Sequence, residues 1–275
     1  MAQAVILFGL DNSANQTDPG TGVPFDAVAR VSNSSGTTLG GSAVHIGGGW
    51  MITANHVGPF DAATFDGVSF YSRDTSTPTV QLGTADMKLF RLTQTPTVSA
   101  ANVYSGASET TGPATIIGWG VGRDPSIAVN SSTVTWGNES TSAKRWGLNN
   151  PAGLFTITSG GYDFEAIFTI LGASSGLPPG LGASEAAVTL LDSGGGMFQQ
   201  IDGIWYLIGI ATNVEVGGSS SFGNNDLSGE RGDANFFARV GNYSDQIFSI
   251  TGIPEPSAAM LLCLSMTALC ARRVR

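Results

Sequence analysis

Ala187-Val188-Thr189-Leu190-Leu191-Asp192-Ser193-Gly194-Gly195-Gly196-Met197-Phe198 sets apolar, strand-like residues on both sides of an Asp-Ser-Gly-Gly bend. The bend holds a hydroxyl at a tight turn between two buried segments. A serine hydroxyl is a poor nucleophile at neutral pH unless a base removes its proton during attack, and the base works best when a carboxylate orients it. The chain offers two histidines, His45 and His56. His56 closes the apolar run Trp50-Met51-Ile52-Thr53-Ala54-Asn55-His56, where a strand delivers it to a loop. His45 lies inside a strand-like stretch and reads as a structural residue with a local partner. Asp86 opens Asp86-Met87-Lys88-Leu89-Phe90-Arg91-Leu92, whose alternation of apolar and basic residues reads as a half-buried strand.

Taken singly, each motif has a plain structural reading: a turn, a loop histidine, a charge at a strand edge. Taken in order, they resemble the trypsin/chymotrypsin-like serine protease family, whose His, Asp, Ser chain order differs from the subtilisin-like and α/β-hydrolase orders. Gly118-Trp119-Gly120 resembles the segment that opens that family's second barrel. The resemblance spans roughly residues 20–250. It implies an all-β fold of two six-stranded antiparallel β-barrels (chymotrypsin-like) with a short C-terminal helix. It further implies that Ser193 attacks a peptide carbonyl, His56 takes and returns the proton, and Asp86 fixes the imidazole tautomer. The oxyanion would meet the backbone N–H groups of Leu191 and Ser193.

Two departures from the family pattern stand out. Leu191 occupies a position where glycine is usual, so a bend with positive φ there would be strained. Relatives made as zymogens free an N-terminal ammonium that pairs with the aspartate before the serine, here Asp192. No Lys or Arg precedes Arg30, so a trypsin-type cut upstream is excluded and Asp192 needs another donor. An ungapped alignment puts Ala187 at the base of the substrate pocket, with Thr212, Val214 and Asn235 on its walls. A shallow, uncharged pocket of this kind implies small, uncharged P1 residues.

Thirty-eight glycines and a charged fraction of only 12% suit many short strands joined by turns. The net charge of −9 argues against a nucleic-acid partner, which needs a clustered basic surface. Two histidines and no cysteine before Cys263 argue against a zinc site, and no Gly-rich phosphate loop precedes a helix. Residues 1–250 read as the protease-like domain, its halves joined near 93–113. Residues 5–9 read as a strand. The preceding Ala2-Gln3-Ala4 looks like the end of a leader-cleavage site, so a leader upstream is expected.

Residues 251–275 read as a separate tail. Pro254-Glu255-Pro256, an apolar run at 257–271 and terminal arginines resemble the PEP-CTERM sorting signal of Gram-negative bacteria. That resemblance implies a transmembrane sorting helix, an exosortase-type sorting enzyme as partner, and export to the bacterial envelope with membrane anchoring before sorting. The leading expectation is therefore an envelope-targeted serine endopeptidase acting on protein or peptide substrates. The alternative is a catalytically impaired binding or surface-matrix module on the same fold.

Overall fold

The computed structural model describes residues 5–109, 112–126, 134–171, 181–214, 221–222 and 234–255. The first of two large antiparallel sheets contains β1 (Val28–Ser32), β2 (Leu39–Gly47), β3 (Trp50–Thr53), β4 (Ala62–Thr64), β5 (Phe70–Ser72), β6 (Val80–Gln81) and β7 (Lys88–Arg91). Its spatial order is β5-β4-β1-β2-β3-β7-β6. The second contains β8 (Asn102–Val103), β9 (Ala114–Gly118), β10 (Arg145–Asn149), β11 (Gly153–Ser159), β12 (Tyr162–Ile170), β13 (Gly196–Ile201), β14 (Ile204–Val214) and β15 (Ala234–Arg239). Its order is β10-β9-β13-β14-β15-β12-β11, with β8 added parallel to β14. A short pair joins Ile6–Leu7 to Ala186–Ala187. The helix α1 (Ser244–Thr251) ends on Gly252, whose left-handed φ of 67° lets its N–H bond the Phe248 carbonyl.

Successive side chains of a strand point to opposite faces, and the core follows that period. Ile117, Phe198, Leu207, Ile210 and Ala238 enter the cluster shared with the first sheet. Their neighbours Ile116, Met197, Ile208, Ala211 and Phe237 enter a second cluster on the other face. Strands β9, β13, β14 and β15 are thus covered on both sides, which is why β9 and much of β14 read as continuous apolar runs. In the first sheet Met51 faces Phe90 across β3 and β7, and both are fully buried. Arg239 at the end of β15 grips Glu109 in the loop between β8 and β9 and Glu165 in β12, so ionic contacts tie that loop to the second sheet.

Two expectations are corrected here. The sheets have seven and eight strands rather than six each. The Ala-Ala-Thr of β4 carries small side chains without alternation, and β8 is only two residues long, so neither has a readable pattern. The second correction concerns the membrane. Among the described residues no helix is long and apolar enough to cross one. The eight residues of α1 rise about 12 Å, against the ~30 Å of a bilayer core. The apolar run at 257–271 lies outside the described residues, as do residues 1–4. The transmembrane sorting helix, and with it the membrane and sorting-enzyme partners and the envelope location inferred from it, has no element among the described residues to carry it.

Candidate active site

Strands β3 and β7 pair antiparallel with Thr53 opposite Lys88. The chain leaving β3 and the chain entering β7 therefore meet at one end of the first sheet. His56, three residues past Thr53, and Asp86, two before Lys88, share that end. Asp86 Oδ2 lies 2.6 Å from His56 Nδ1, and Asp86 Oδ1 accepts the His56 backbone N–H at 2.9 Å. The carboxylate side chain is 3% exposed and the imidazole 40%. A carboxylate only accepts, so Nδ1 carries the proton and Nε2 is left as the basic nitrogen on the open side.

Ser193 is held on the facing turn. Its carbonyl accepts the Ser42 N–H at 2.8 Å, and the Gly194 N–H reaches the Ala211 carbonyl at 2.8 Å. A Cβ built on Gly41 would lie 2.8 Å from the Ser193 carbonyl oxygen and 3.1 Å from Val57 Cγ2, so the serine turn and the residue after His56 flank one point of β2. Among the described residues no hydrogen bond joins the Ser193 hydroxyl to His56. The structure thus brings His56 and Asp86 into contact and sets the Ser193 turn against the same point of β2 as Val57, without closing the row.

Asp192 turns inward and is fully buried. Its carboxylate accepts from the N–H of Gly120 at 2.8 Å, the N–H and hydroxyl of Thr189 at 2.7 and 3.2 Å, and the Val5 N–H at 3.3 Å. These are the donors that the sequence left unidentified. They also explain Gly118-Trp119-Gly120. A Cβ on Gly118 would stand 2.2 Å from Asp192 Oδ1, and one on Gly120 would stand 2.5 Å from Asp192 Cγ. Trp119 between them bonds the Val28 carbonyl through Nε1 and the Ser42 hydroxyl through its backbone N–H, locking the second sheet to the first.

Leu191 has φ +70°, the left-handed conformation for which its family position favours glycine. Such a φ costs a leucine about 1–2 kcal/mol. The surroundings enforce it: the Leu190 carbonyl accepts the Val121 N–H at 2.8 Å, the Leu191 carbonyl accepts the Ser42 hydroxyl at 3.3 Å, and the Asp192 N–H bonds the Thr189 carbonyl at 3.1 Å. Across a trans peptide the N–H points opposite to the carbonyl, so Val121 on the Leu190 carbonyl turns the Leu191 N–H away from Val121. Among the described residues neither the Leu191 nor the Ser193 N–H has an acceptor. Ser42 and Val121, which fix this bend, carry no chemical signature in the sequence.

Beside the bend lies a pocket of about 140 Å³, lined by Ser193, Leu190, Leu191, Thr212 and Val214 among others. None of its lining side chains is charged. Thr212 and Val214 stand where the alignment put them. Ala187 does not: it pairs with Ile6 and is fully buried behind the wall. Asn235 is also withdrawn, its Oδ1 accepting the Val188 N–H at 2.9 Å. A register shift between Ala211 and Asn213 breaks the ungapped alignment at this wall.

Burial pushes the Asp192 carboxyl up to about 6, against the opposing pull of its N–H donors from Thr189, Gly120 and Val5. An unfolded aspartate titrates near ~3.9, so the folded chain binds this proton more tightly. Stability from Asp192 is therefore greatest below about pH 4 and declines as pH rises to about 6, by roughly 3 kcal/mol. Denaturant titrations across that window should show the decline in the native chain and its absence in Asp192→Asn. Parallel profiles would contradict this assignment.

No protein-family model matches the chain, and no curated protein matches it. Solved structures do resemble it. The Rv3671c protease from M. tuberculosis, in its active form, overlays with a TM-score of 0.53 at 10% identity, covering 93% of this chain and 93% of that one. Neuropsin, a serine protease expressed in the limbic system of mouse brain, overlays with a TM-score of 0.53 at 16% identity, covering 86% of this chain and 97% of its own. At such identities the likeness is one of fold, and it is the trypsin/chymotrypsin-like serine protease fold. No match supports the expected sorting signal.

Proposed function

We propose that this chain is a serine endopeptidase, with residues 1–250 as the protease-like unit and its halves joined near 93–113. The supporting observation is a pair of half-sites whose chains both approach Gly41 of β2. One is an exposed imidazole oriented by a buried carboxylate, one oxygen on Nδ1 and the other on the His56 backbone N–H. The other is a serine bend whose Leu191 and Ser193 N–H groups have no partner among the described residues. In this reading Ser193 Oγ attacks the substrate carbonyl as His56 Nε2 takes its proton. The two N–H groups receive the oxyanion, a contribution of about 3–4 kcal/mol for one such donor. Collapse breaks the C–N bond, and His56 returns the proton to the leaving amine. Water then hydrolyses the acyl-enzyme with His56 again as base.

The uncharged 140 Å³ pocket, with Leu190 exposed at its lip, favours small, uncharged P1 side chains. Burying a Lys or Arg there without a partner costs several kcal/mol. Across a peptide panel, kcat/KM after Ala or Val should exceed that after Lys or Arg by at least about 100-fold, with no turnover by Ser193→Ala. Preferential cleavage after basic residues would contradict the pocket assignment.

A second reading, a binding module of the same fold that does not turn over, is favoured by the missing Ser193–His56 hydrogen bond. Apo sites often tighten such bonds only when substrate is bound. A chain that binds panel peptides, hydrolyses none and takes up no fluorophosphonate would bear out this second reading.

A further inference from the structure

We infer that Lys88 is a positioning residue for His56, its ammonium clamping the backbone carbonyls on either side of the histidine so that the imidazole stays in line with Asp86. The kinetic consequence rests on the peptidase reading; the geometric one does not.

The observation is a division of labour between alternate residues of one segment. Asp86 and Lys88 lie two apart at the entry to β7, the spacing that puts side chains on the same side of an extended chain. Asp86 takes the two N–H groups of His56. Lys88 Nζ donates to the Asn55 carbonyl at 3.0 Å and to the Val57 carbonyl. The peptide between Asn55 and His56 is therefore held at both edges, its carbonyl by Lys88 and its N–H by Asp86. The next peptide is held by the Val57 N–H on the Ala54 carbonyl at 3.1 Å, and the one after that by Lys88 again. All three peptide planes that set the backbone of His56 and its successor are fixed. The Cα–Cβ direction of His56 is fixed with them, and the Asp86 contact sets the ring.

This arrangement is not explained as an ordinary ion pair. Among the described residues no carboxylate lies within salt-bridge distance of Lys88. Its ammonium rests 5.5 Å from the centroid of the Phe60 ring, a favourable site for a cation. The other charges that act on it are Arg73, whose guanidinium stands 5.7 Å from the same ring, and Asp86. Burial and Arg73 both push the Lys88 pKa down, while Asp86 pulls it up. A half-buried cation held on two neutral carbonyls, with no carboxylate partner, points to a geometric role.

The test uses the full chain with Lys88→Met, which keeps the aliphatic stem over Phe60, Lys88→Gln, which keeps one donor, and Lys88→Arg. Two quantities are read: the downfield NMR signal of the His56 Nδ1–H, identified by its loss in His56→Ala, and the rate of fluorophosphonate labelling at Ser193. Lys88→Met should fold, lose or broaden the downfield signal, and label about 10- to 100-fold more slowly, with Lys88→Arg recovering part of both. Should Lys88→Met fail to fold, Lys88→Gln carries the same expectation. A folded Met or Gln variant that retains the signal and the native rate, even with a lower melting temperature, overturns the inference. If the native chain never labels, the fault lies with the peptidase reading, and the downfield signal alone decides the role of Lys88.

Discussion

Asp86→Asn is expected to slow the reaction of Ser193 with fluorophosphonate, and any peptide hydrolysis, by about 10⁴-fold while leaving the chain folded. That is the size of effect the same exchange has in a Ser-His-Asp site. Here the cause is visible in the two oxygens. Oδ1 accepts the His56 backbone N–H and Oδ2 faces Nδ1. An asparagine that keeps its oxygen on the backbone N–H must turn its NH₂ toward Nδ1. That nitrogen then has to accept, the ring proton moves to Nε2, and Nε2 ceases to be a base. The outward face of the imidazole survives and its chemistry does not. Circular dichroism beside the labelling rate separates this from unfolding. A folded variant that reacts within tenfold of the native chain would show that Asp86 does not set the tautomer.

Gly194→Ala is expected to destabilise the chain by about 4 kcal/mol or more, lowering the melting temperature by about 10 °C. Gly194 has φ +87°, and a Cβ there would lie 2.0 Å from the Ser42 carbonyl oxygen and 2.2 Å from Thr53 Oγ1. Both atoms belong to packed strands of the first sheet and already bond each other at 2.6 Å, so neither has room to retreat. Gly20→Ala is the control. Gly20 has φ +72° with nothing within 4 Å of a built Cβ, so its substitution carries only the backbone cost of about 1–2 kcal/mol. The difference between the variants measures how tightly the Ser193 turn is pressed against the first sheet. Equal melting temperatures would show that the turn is loose.

Where the chain wrote its structure in alternation or in chemical type, the sequence was readable. Residues 86–92 mix apolar and basic residues and β7 forms there, with the consecutive Leu89 and Phe90 both buried, on opposite faces of the strand, between the half-buried Lys88 and the exposed Arg91. The run at 205–211 is apolar throughout because β14 is covered on both faces. His56 and Asp86 were singled out by residue type, and the antiparallel register of β3 and β7 brings them together. What stayed hidden depends on backbone groups or on register. The donors to Asp192 are mostly main-chain N–H groups, from Val5, Gly120 and Thr189, which any residue type supplies. Asn235 was misplaced because a shift between Ala211 and Asn213 changes the register at the pocket wall, and Ala187 because it pairs with Ile6, and no residue type announces either. The left-handed Leu191 ran against its own preference. Its conformation is imposed by Val121, Ser42 and Thr189 around it, through tertiary contacts that local propensity does not contain.

The most direct measurement is mass spectrometry of the native chain after incubation with a fluorophosphonate, with the adduct mapped to a residue. An activated serine beside an oriented imidazole predicts a single adduct on Ser193, absent in Ser193→Ala. No adduct at all, or one on another residue that persists in Ser193→Ala, would contradict the account.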